Sequence, residues 1–431
     1  MTYLSRSQTN GSSRKKFTVS AWIKLGVSDN IQKIFDGYDG GGTYFYFAVE
    51  TVGNGHVLIV KNESNGTNCN IKTSRTFRDP AAWYNFVLQV DTTQGTAANR
   101  VKIYVNGVQE TSFSASTYPN QNRDFWVSVP SGATYYVGGR TAETIYSMSH
   151  FHYIDGSIIA VGQFGSVDST TGEWKLNTSP TVSSYGTNGF AILKDGTTIT
   201  DQSPNSNNYS SNGTALTKTE DCPDNNFTTM NPVDATRGAG NIVYANGNTT
   251  VSISNSERNA SRSSLAFTAG KFYAECKVIS VGGDVRIGVM GIDGTVAQPV
   301  NFANNTNPYS FEYGYSYRTN GQKENNNSAS SYGASYGNGD IIGVAFNATN
   351  NSITFYKNGA SQGVAFSSLN SNYWVFYCTL LSSASVSWNF GNGYFGGTAV
   401  SSAGTNASSN GIFEYNVPSG YTALSTKGLN L

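Results

Sequence analysis

The sequence has few charged residues, no long apolar run and few cysteines. Charged residues make up 13% of the 431-residue chain, against about 25% in an average soluble protein. The 27 basic and 27 acidic side chains give a formal net charge of zero, so no basic footprint for a nucleic acid is expected. No stretch of about 18 apolar residues occurs, and the N-terminus lacks an apolar signal-peptide core. We therefore expect a protein made in a cytoplasm, with no nucleic-acid partner and no membrane insertion.

The cysteines also exclude two kinds of site. The sequence contains four: Cys69, Cys222, Cys276 and Cys378. None of them has a metal-ligand spacing such as C-x-x-C, and their density is too low for a disulfide scaffold. Cys276 alternates in phase with the apolar residues of its stretch, which predicts a small buried side chain in a strand.

Aromatic residues and turn residues are abundant instead. Aromatics reach 13% and glycines number 47, and helical periodicity is almost absent. The stretch from Arg100 to Phe113 alternates apolar and polar residues up to Asn106-Gly107, which predicts a hairpin with a tight type I′ turn. A second stretch, Ser352 to Phe366, repeats the pattern around Asn358-Gly359. Two similar hairpins so far apart predict two β-domains built on related plans.

Short strands separated by Gly, Asn and Asp clusters are predicted along the first part of the chain. Phe17 to Leu25 has apolar residues at the odd positions, which predicts a half-buried strand. Further strands are predicted at 44–51, 56–60, 83–90, 101–106 and 135–137. This spacing predicts an all-β chain with two antiparallel β-sandwich domains of jelly-roll type, joined by an irregular connector.

Five motifs in order carry a resemblance: FTVSAWIK, FRDPAAWYNFVLQVDTTQ, NRVKIYVNGVQ, YYVGG and HYIDG. Residues 1–165 resemble the concanavalin A-like, laminin-G-like lectin domain found in virion proteins of tailed phages that infect marine bacteria. One stretch, ETIYSMSHFHYIDG, departs from the family in having a shorter strand before its aspartate-glycine turn. The resemblance implies a lectin-like sandwich.

Residues 166–241 are predicted as the connector. Turn residues dominate this stretch, and four prolines make a helix through it improbable. It resembles the segment that the same phage proteins place between their two domains. We expect an extended connector packed on the first domain, because its apolar residues would otherwise have no core.

Residues 242–431 are predicted as the second domain. GKFYAECKV and VRIGVMGID indicate strands, and GDIIGVAF followed by the second hairpin resembles a SPRY domain of the phage type over most of 265–431. The resemblance implies a two-sheet sandwich that binds through loops at one edge and has no catalytic centre. The low-complexity stretch Gly396 to Asn410 is expected to be exposed.

The most unusual run is YSFEYGYSYR, Tyr309 to Arg318. Its aromatic residues all fall on one phase, so a strand here presents one aromatic face. Such a face is either core or part of a binding groove, and tyrosine suits both. We name the following residues as candidate binding residues: Tyr309, Tyr313, Tyr315, Tyr317 and Arg318.

The sequence predicts no complete metal site, and only two acids are candidates for calcium. Relatives of the lectin-like fold often hold calcium at a loop edge through carboxylate and carbonyl oxygens. The acids to consider first are Asp36 and Asp39 in IFDGYDGGG, although a tight turn explains them as well. His150 and His152 fall on one face of a strand, but no third ligand is visible, so a packed histidine pair is the plainer interpretation.

A catalytic role is not expected. Glycoside hydrolases of the concanavalin A-like fold carry their acids as E-x-D-x-x-E on one strand, and this sequence has no such run. Its isolated acids Asp91, Glu110 and Asp155 are predicted at strand ends or turns. We expect no cofactor, apart from calcium if the lectin-like domain holds an ion.

The resemblances imply a non-enzymatic phage virion protein: a tail fibre, tail-tip or head-decorating adhesin. Its expected partners are other virion subunits and host-surface polysaccharide, and it is expected to act in many copies or as a homo-oligomer. One alternative is a purely structural capsid or tail decoration protein. The other is a glycoside hydrolase acting on host polysaccharide.

Overall fold

A computed structural model describes most of the chain. The described residues are 3–26, 31–39, 41–53, 55–64, 66–127, 133–140, 147–213, 216–234, 242–254, 256, 258–292 and 314–430. They contain strands and short 3-10 turns but no α-helix, and none of their helical turns has the length and hydropathy that crossing a membrane requires. The chain divides into two compact units, Met1–Lys218 and Thr219–Leu431, here called the N-terminal and C-terminal units.

Sixteen strands are described in the N-terminal unit. They are β1 Tyr3–Ser7, β2 Lys16–Lys24, β3 Gln32–Tyr38, β4 Tyr44–Val52, β5 Gly55–Glu63, β6 Thr67–Thr73, β7 Trp83–Asp91, β8 Val101–Val105, β9 Val108–Gln109, β10 Phe113–Thr117, β11 Thr134–Val137, β12 Ser147–Asp155, β13 Gly165–Val167, β14 Trp174–Leu176, β15 Phe190–Ile192 and β16 Ser210–Asn212. The 3-10 turns are Ala97–Asn99 and Val161–Gln163.

These strands form two core-lining antiparallel sheets and a small ribbon. The larger sheet has the order β10-β6-β5-β4-β3-β11-β1-β16, and the smaller has the order β15-β12-β2-β7-β8-β9. Inward side chains from both sheets share one aromatic-rich core, as when Phe35 of β3 contacts Phe151 and Tyr153 of β12 at centroid distances of 5.6 and 5.0 Å. The unit is a β-sandwich.

Two central strands of the smaller sheet, β2 and β7, are buried on both faces. Strand β2 was predicted to be half-buried, and this prediction is wrong, because its polar residues are as buried as its apolar ones. Thr18 donates a hydrogen bond from Oγ1 to the carbonyl oxygen of Ser157 (3.0 Å) and accepts one from the N–H of Ile159 (3.1 Å). The chain after β12 thus covers the outer face and satisfies its polar groups.

Sixteen more strands are described in the C-terminal unit. They are β17 Ile242–Ala245, β18 Thr250–Ile253, β19 Arg258–Arg262, β20 Lys271–Ser280, β21 Asp284–Gly291, β22 Gly314–Arg318, β23 Gln322–Asn325, β24 Ser328–Ser331, β25 Ile341–Asn347, β26 Ser352–Lys357, β27 Ala360–Phe366, β28 Trp374–Leu381, β29 Ser385–Asn389, β30 Tyr394–Phe395, β31 Thr398–Ala399 and β32 Thr422–Ala423. The 3-10 turns are Pro232–Asp234 and Gly428–Asn430.

The C-terminal unit is also a two-sheet sandwich. One sheet has the order β17-β18-β29-β20-β25-β26-β27, with β32 pairing in parallel with β20, and the other has the order β19-β28-β21-β22-β23-β24. Cys276 is fully buried in the core between them, as its alternation predicted. The two antiparallel sandwiches confirm the predicted fold class.

The stretch predicted as a connector is divided between the units. Residues up to Lys218 belong to the N-terminal unit, where β15 pairs with β12 and β16 pairs with β1. Residues from Thr219 belong to the C-terminal unit, where Met230 is buried in the core. The predicted domain boundaries themselves stay a prediction.

Both predicted hairpin turns are present and have nearly the same geometry. The φ angles of Asn106 and Gly107 are 48° and 79°, and those of Asn358 and Gly359 are 48° and 80°. These positive values are those of a type I′ turn, which glycine and asparagine accept most readily. The turns join β8 to β9 and β26 to β27.

Candidate binding surfaces

Tyr317, on the predicted aromatic run, lies in the core of the C-terminal unit. It has no exposed surface, and its hydroxyl donates a hydrogen bond to the carbonyl oxygen of Ala334. Its ring lies 5.1–5.4 Å, between centroids, from three further aromatic rings: Tyr332, Tyr336 and Phe355. Contact of this side chain with a ligand would require the core to open.

Tyr315 faces the same way and is half-buried. Its ring contacts Phe366 and Trp374 at centroid distances of 5.3 and 6.0 Å. The other two candidate tyrosines, Tyr309 and Tyr313, lie outside the described residues. The described part of the run is therefore interior packing, and a binding role for these tyrosines stays a prediction.

Arg318 faces the opposite side of the same sheet, where it joins a buried ionic network. One guanidinium nitrogen lies 2.8 Å from Glu324, and another lies 3.5 Å from Asp284. Arg286 also bridges these two carboxylates, and Arg258 lies 2.7 Å from Asp284. The arginine side chain that we named is thus committed to ion pairs, with 24% of it exposed.

The network sets the ionisation of Asp284. Burial alone raises the pKa of this carboxyl, but the adjacent Arg258 and Arg286 outweigh burial and hold the pKa below its usual range. Thr319 adds a hydrogen bond of 2.9 Å to the carboxylate. A buried carboxylate with this many donors is a structural tie between strands.

The two acids considered for calcium are already engaged. Asp36 is fully buried and contacts Lys33 at 3.0 Å and Arg140 at 2.8 Å. Asp39 caps a turn by accepting the N–H groups of Gly41 and Thr43 (2.7 and 3.1 Å). Calcium takes six to eight oxygen ligands, whereas these carboxylates face cations and N–H donors, so this pair does not fit the ion.

The outer face of the larger sheet in the N-terminal unit carries a different set of tyrosines. Strands β4, β3, β11 and β1 are consecutive in that sheet, and each contributes at least one outward tyrosine. We call the following residues the tyrosine face: Tyr3, Tyr38, Tyr44, Tyr46 and Tyr136. All are half-buried except Tyr46, which is 7% exposed.

The rings of the tyrosine face are held in place by each other and by cations. Tyr44 and Tyr46 are stacked at a centroid distance of 5.6 Å, and Tyr3 contacts Tyr136 at 5.9 Å. The Arg140 guanidinium lies 3.6 Å from the centroid of the Tyr38 ring. A cation–π contact of this kind fixes the orientation of the ring.

Charged side chains around the tyrosine face are paired with one another. Lys61 lies 2.7 Å from Glu63, and Lys72 lies 2.9 Å from Glu50. The Tyr44 hydroxyl donates a hydrogen bond of 2.6 Å to Glu63. Burial raises the pKa of Tyr46 to about 12, so this hydroxyl stays protonated at physiological pH. The surface offers aromatic faces bordered by fixed hydrogen-bonding groups.

The sequence contained a signal for this surface that our sequence reasoning did not use. In YFYF, residues 44–47, tyrosine and phenylalanine alternate. On a strand the two kinds of ring must face opposite sides, and the phenylalanines take the core. The hydroxyl-bearing ring therefore marks the outward face.

The two histidines are packed and neutral. A bulge in β12 separates them, because His150 has a φ angle of 47°. His152 Nδ1 lies 3.0 Å from the Tyr185 hydroxyl, and His150 Nδ1 lies 2.7 Å from Ser149 Oγ. Burial, aided by nearby positive charge, lowers the pKa of His150 to about 4 and that of His152 to about 3. Among the described residues, no group of three or more His, Cys, Asp or Glu side chains could hold a metal ion.

Comparison with known proteins finds two families in this chain. Residues 2–144 match the concanavalin A-like lectin/glucanases superfamily. Residues 271–393 match the SPRY domain. No curated protein matches the chain.

Solved structures similar to the chain include two human SPRY domains. The SPRY domain of human HERC1 is 17% identical, with a TM-score of 0.31, and the match covers 37% of this chain and 96% of that one. A second human SPRY domain is 16% identical, with a TM-score of 0.27 and coverage of 34% and 93%. On the evidence of the two family matches and the two sandwiches, the chain carries a concanavalin A-like lectin domain in its N-terminal part and a SPRY domain in its C-terminal part.

Proposed function

We propose that the chain is a non-enzymatic adhesin that binds carbohydrate through the tyrosine face. The observation that carries this proposal is the row of outward tyrosines on four consecutive strands. Neighbouring strands lie about 4.8 Å apart, so the row from β1 to β4 spans about 14 Å. Aromatic faces bordered by lysine and glutamate groups suit sugar rings, which present apolar faces and hydroxyl edges. A span of this size suits several linked sugars better than one.

The acidic side chains of the tyrosine face support binding without catalysis, because each is paired with a cation. Asp36, Glu63 and Glu50 are each in contact with a lysine or arginine at 2.7–3.0 Å. Glycoside hydrolysis needs one carboxyl group free to deliver a proton to the sugar bond. The hydrolase alternative predicts sugar release from host polysaccharide by the purified chain, and we expect none.

We further propose that the adhesin belongs to a tailed-phage virion, as a tail fibre, tail-tip or head-decorating protein made in the host cytoplasm. This step rests on the resemblance of both domains and their connector to phage proteins. One weak sugar site becomes effective when many copies on a particle engage one polysaccharide surface. Other virion subunits are then its structural partners.

The test of the carbohydrate site uses single substitutions on the tyrosine face. The purified chain, displayed multivalently on beads, is applied to an array of bacterial polysaccharides. We expect Tyr38→Ala and Tyr44→Ala each to weaken binding by about three- to tenfold, the worth of one aromatic contact. Tyr373→Ala, at a tyrosine 49% exposed in the C-terminal unit, is the matched control and should bind as the unchanged chain does.

The outcomes separate the proposed roles. Binding that is weakened in both variants and unchanged in the control supports the tyrosine face. Absence of any signal at multivalent display contradicts the adhesin and leaves the decoration alternative, which imaging of whole virions tests by locating the chain on the particle. An equal loss of polysaccharide binding in Tyr373→Ala would indicate that the binding site lies in the C-terminal unit.

A further inference from the structure

Glu275 is a buried carboxylate on the outer face of strand β20. It has no exposed surface, and four donors reach it. The backbone N–H groups of Glu414 and Tyr415 donate at 2.8 and 2.9 Å, and the Tyr273 hydroxyl and the Asn389 amide donate at 3.2 and 3.3 Å. Two consecutive N–H groups of a later part of the chain are thus fixed to one side chain.

Those N–H groups belong to a segment that covers the sheet. We call residues 401–417 the cover segment. Its side chains Phe413 and Val417 pack on the outer face of the sheet against Tyr273 and its neighbours. Most of the stretch predicted to be exposed lies at the start of this segment and is exposed, while Asn410 is buried and tied to Thr422 by a hydrogen bond of 2.9 Å. Opening of the cover segment would expose Glu275 to water.

No cation neutralises Glu275 among the described residues. The charged or titratable groups facing it are Tyr273 and Lys277 on its own strand, Tyr356 on β26, and Glu414 and Tyr415 on the cover segment. Lys277 lies over the Phe395 ring at 5.8 Å, and the Glu414 carboxylate accepts from Ser401. A buried carboxylate without a counterion favours its neutral form, whereas the same group in water ionises readily.

We infer that Glu275 is a proton-sensitive latch that holds the cover segment closed at acid pH and releases it increasingly as the pH rises through neutrality. Closing transfers the carboxyl group from water into an apolar site, so closing is linked to proton uptake. Opening, which lets the carboxyl ionise, releases that proton. This latch does not depend on the proposed carbohydrate site.

The pKa values define the working range. Burial raises the pKa of Glu275 to about 7, against the lowering effect of the four hydrogen bonds, while the ordinary value is 4.5. Between these two values the opening constant rises with pH and above them it levels off. From pH 5 to pH 8 the expected increase is roughly 70-fold.

The experiment is hydrogen exchange of the Glu414 and Tyr415 amides in the full chain between pH 5 and pH 8. Rates are divided by the intrinsic rate at each pH to give protection factors. We expect the protection factors to fall by roughly 70-fold across this range. Core amides of β28 should have larger protection factors at every pH, because they exchange only when the whole unit opens. A flat profile in the unchanged chain overturns the latch.

Two variants and a direct titration complete the test. Glu275→Gln should remove the pH dependence, and Glu220→Gln, which alters an exposed carboxylate of the same unit outside the latch, should keep it. Pronounced pH dependence that persists in Glu275→Gln contradicts the proposal. Should Glu275→Gln fail to fold, carbon-13 NMR of the Glu275 carboxyl in the unchanged chain decides, because titration near 4.5 would also overturn it.

Discussion

The two Asn-Gly hairpins of the molecule are built the same way down to single hydrogen bonds. Asn106 exchanges two bonds with the backbone of Asn85: its N–H donates at 2.9 Å, and its Oδ1 accepts at 2.8 Å. Asn358 does the same with Ile341, at 2.8 Å for both bonds. In each hairpin the asparagine side chain extends the ladder by one pair and fixes the start of the neighbouring strand.

An aromatic ring covers each of these turns, and the two covers differ in how they are held. A Cβ added to Gly107 would come within 2.4 Å of the Trp174 ring, and one added to Gly359 would come within 2.6 Å of the Tyr415 ring. Trp174 is tied by its indole N–H to a neutral amide at 3.3 Å. Tyr415 is tied by its backbone N–H to the Glu275 carboxylate. The ring that covers the turn is therefore held by a pH-dependent contact in the C-terminal unit and by a pH-independent contact in the N-terminal unit.

The largest expected difference between the two units is in how their stability depends on pH. His150 and His152 have lowered pKa values, so the unfolded chain binds protons more readily below 6.5 and the N-terminal unit loses stability as pH falls. Glu275 has a raised pKa, so the C-terminal unit gains stability as pH falls from about 7 toward 4.5. From pH 7 to pH 5 we expect a loss of about 2–4 kcal/mol in the first unit and a gain of roughly 2 kcal/mol in the second.

Hydrogen exchange with mass spectrometry in increasing denaturant measures this contrast, because peptides from each unit are followed separately in one sample. Glu275→Gln should cancel the trend in the C-terminal unit and leave that of the N-terminal unit. Shifts of the same sign in both units would show that other groups dominate.

The next largest contrast is between two buried aspartates. Asp284→Ala removes the carboxylate that Arg258 and Arg286 share, which leaves buried positive charge uncompensated. We therefore expect the C-terminal unit to lose about 3–5 kcal/mol. Asp36→Ala frees Lys33 and Arg140, whose side chains are 17% and 24% exposed and reach water, so a loss of roughly 1–2 kcal/mol is expected.

Denaturant unfolding of each unit measures both losses, with Glu173→Ala at an exposed acidic side chain as a control below about 0.5 kcal/mol. Equal losses at Asp284 and Asp36 would mean that the network in the C-terminal unit is as well hydrated as the pairs around the tyrosine face.

The covered turns themselves provide a third contrast. Gly107→Val and Gly359→Val combine a strained positive φ angle with a clash against the covering ring, so each should cost about 2–4 kcal/mol. Gly172→Val and Gly363→Val are matched controls, because their φ angles of 74° and 83° are similar and nothing lies within 4 Å.

The controls should cost only the backbone strain, about 1–2 kcal/mol. Thermal unfolding of the four variants compares them. If the controls are as destabilised as the test variants, the covering rings do not contribute to the loss of stability.

The smallest expected effect comes from replacing the asparagine of each turn, which tests whether the two hairpins have the same energetics. Asn106→Ala and Asn358→Ala each remove one side-chain acceptor and the tolerance for a positive φ angle, so each should cost about 1–2 kcal/mol. The Asp variants keep the acceptor and should recover most of the loss. Different costs in the two hairpins, measured by denaturant unfolding, would show that the shared geometry conceals different energetics.

Much of the fold could be predicted from the sequence, because period-2 alternation and Asn-Gly turns are local signals. The strand predicted at 83–90 is Trp83–Asp91 in the structure, and that predicted at 44–51 is Tyr44–Val52. Both hairpin turns were predicted from two residues each, because few residues accept positive φ angles. Burial of the outer sheet faces could not be predicted, since it depends on segments distant in sequence.

The candidate sites were harder to predict for the same reason. Alternation shows that Tyr315 and Tyr317 share a face, but it does not say which face is core. That choice depends on the partner sheet, which supplies Phe355 and Phe366. The latch at Glu275 joins residues 139 and 140 positions apart in the chain, and no local pattern reports such a contact.

The asparagine contacts of the hairpins also bear on how the protein ages. Asn-Gly is a sequence prone to deamidation, in which the glycine nitrogen attacks the side-chain amide carbon of the asparagine and ammonia leaves. In both turns the Asn106 and Asn358 amide oxygens are fixed by a backbone N–H of a neighbouring strand. This bond restricts the rotation of the side-chain amide that the attack requires, so we expect both sites to deamidate more slowly in the folded chain than in the unfolded chain.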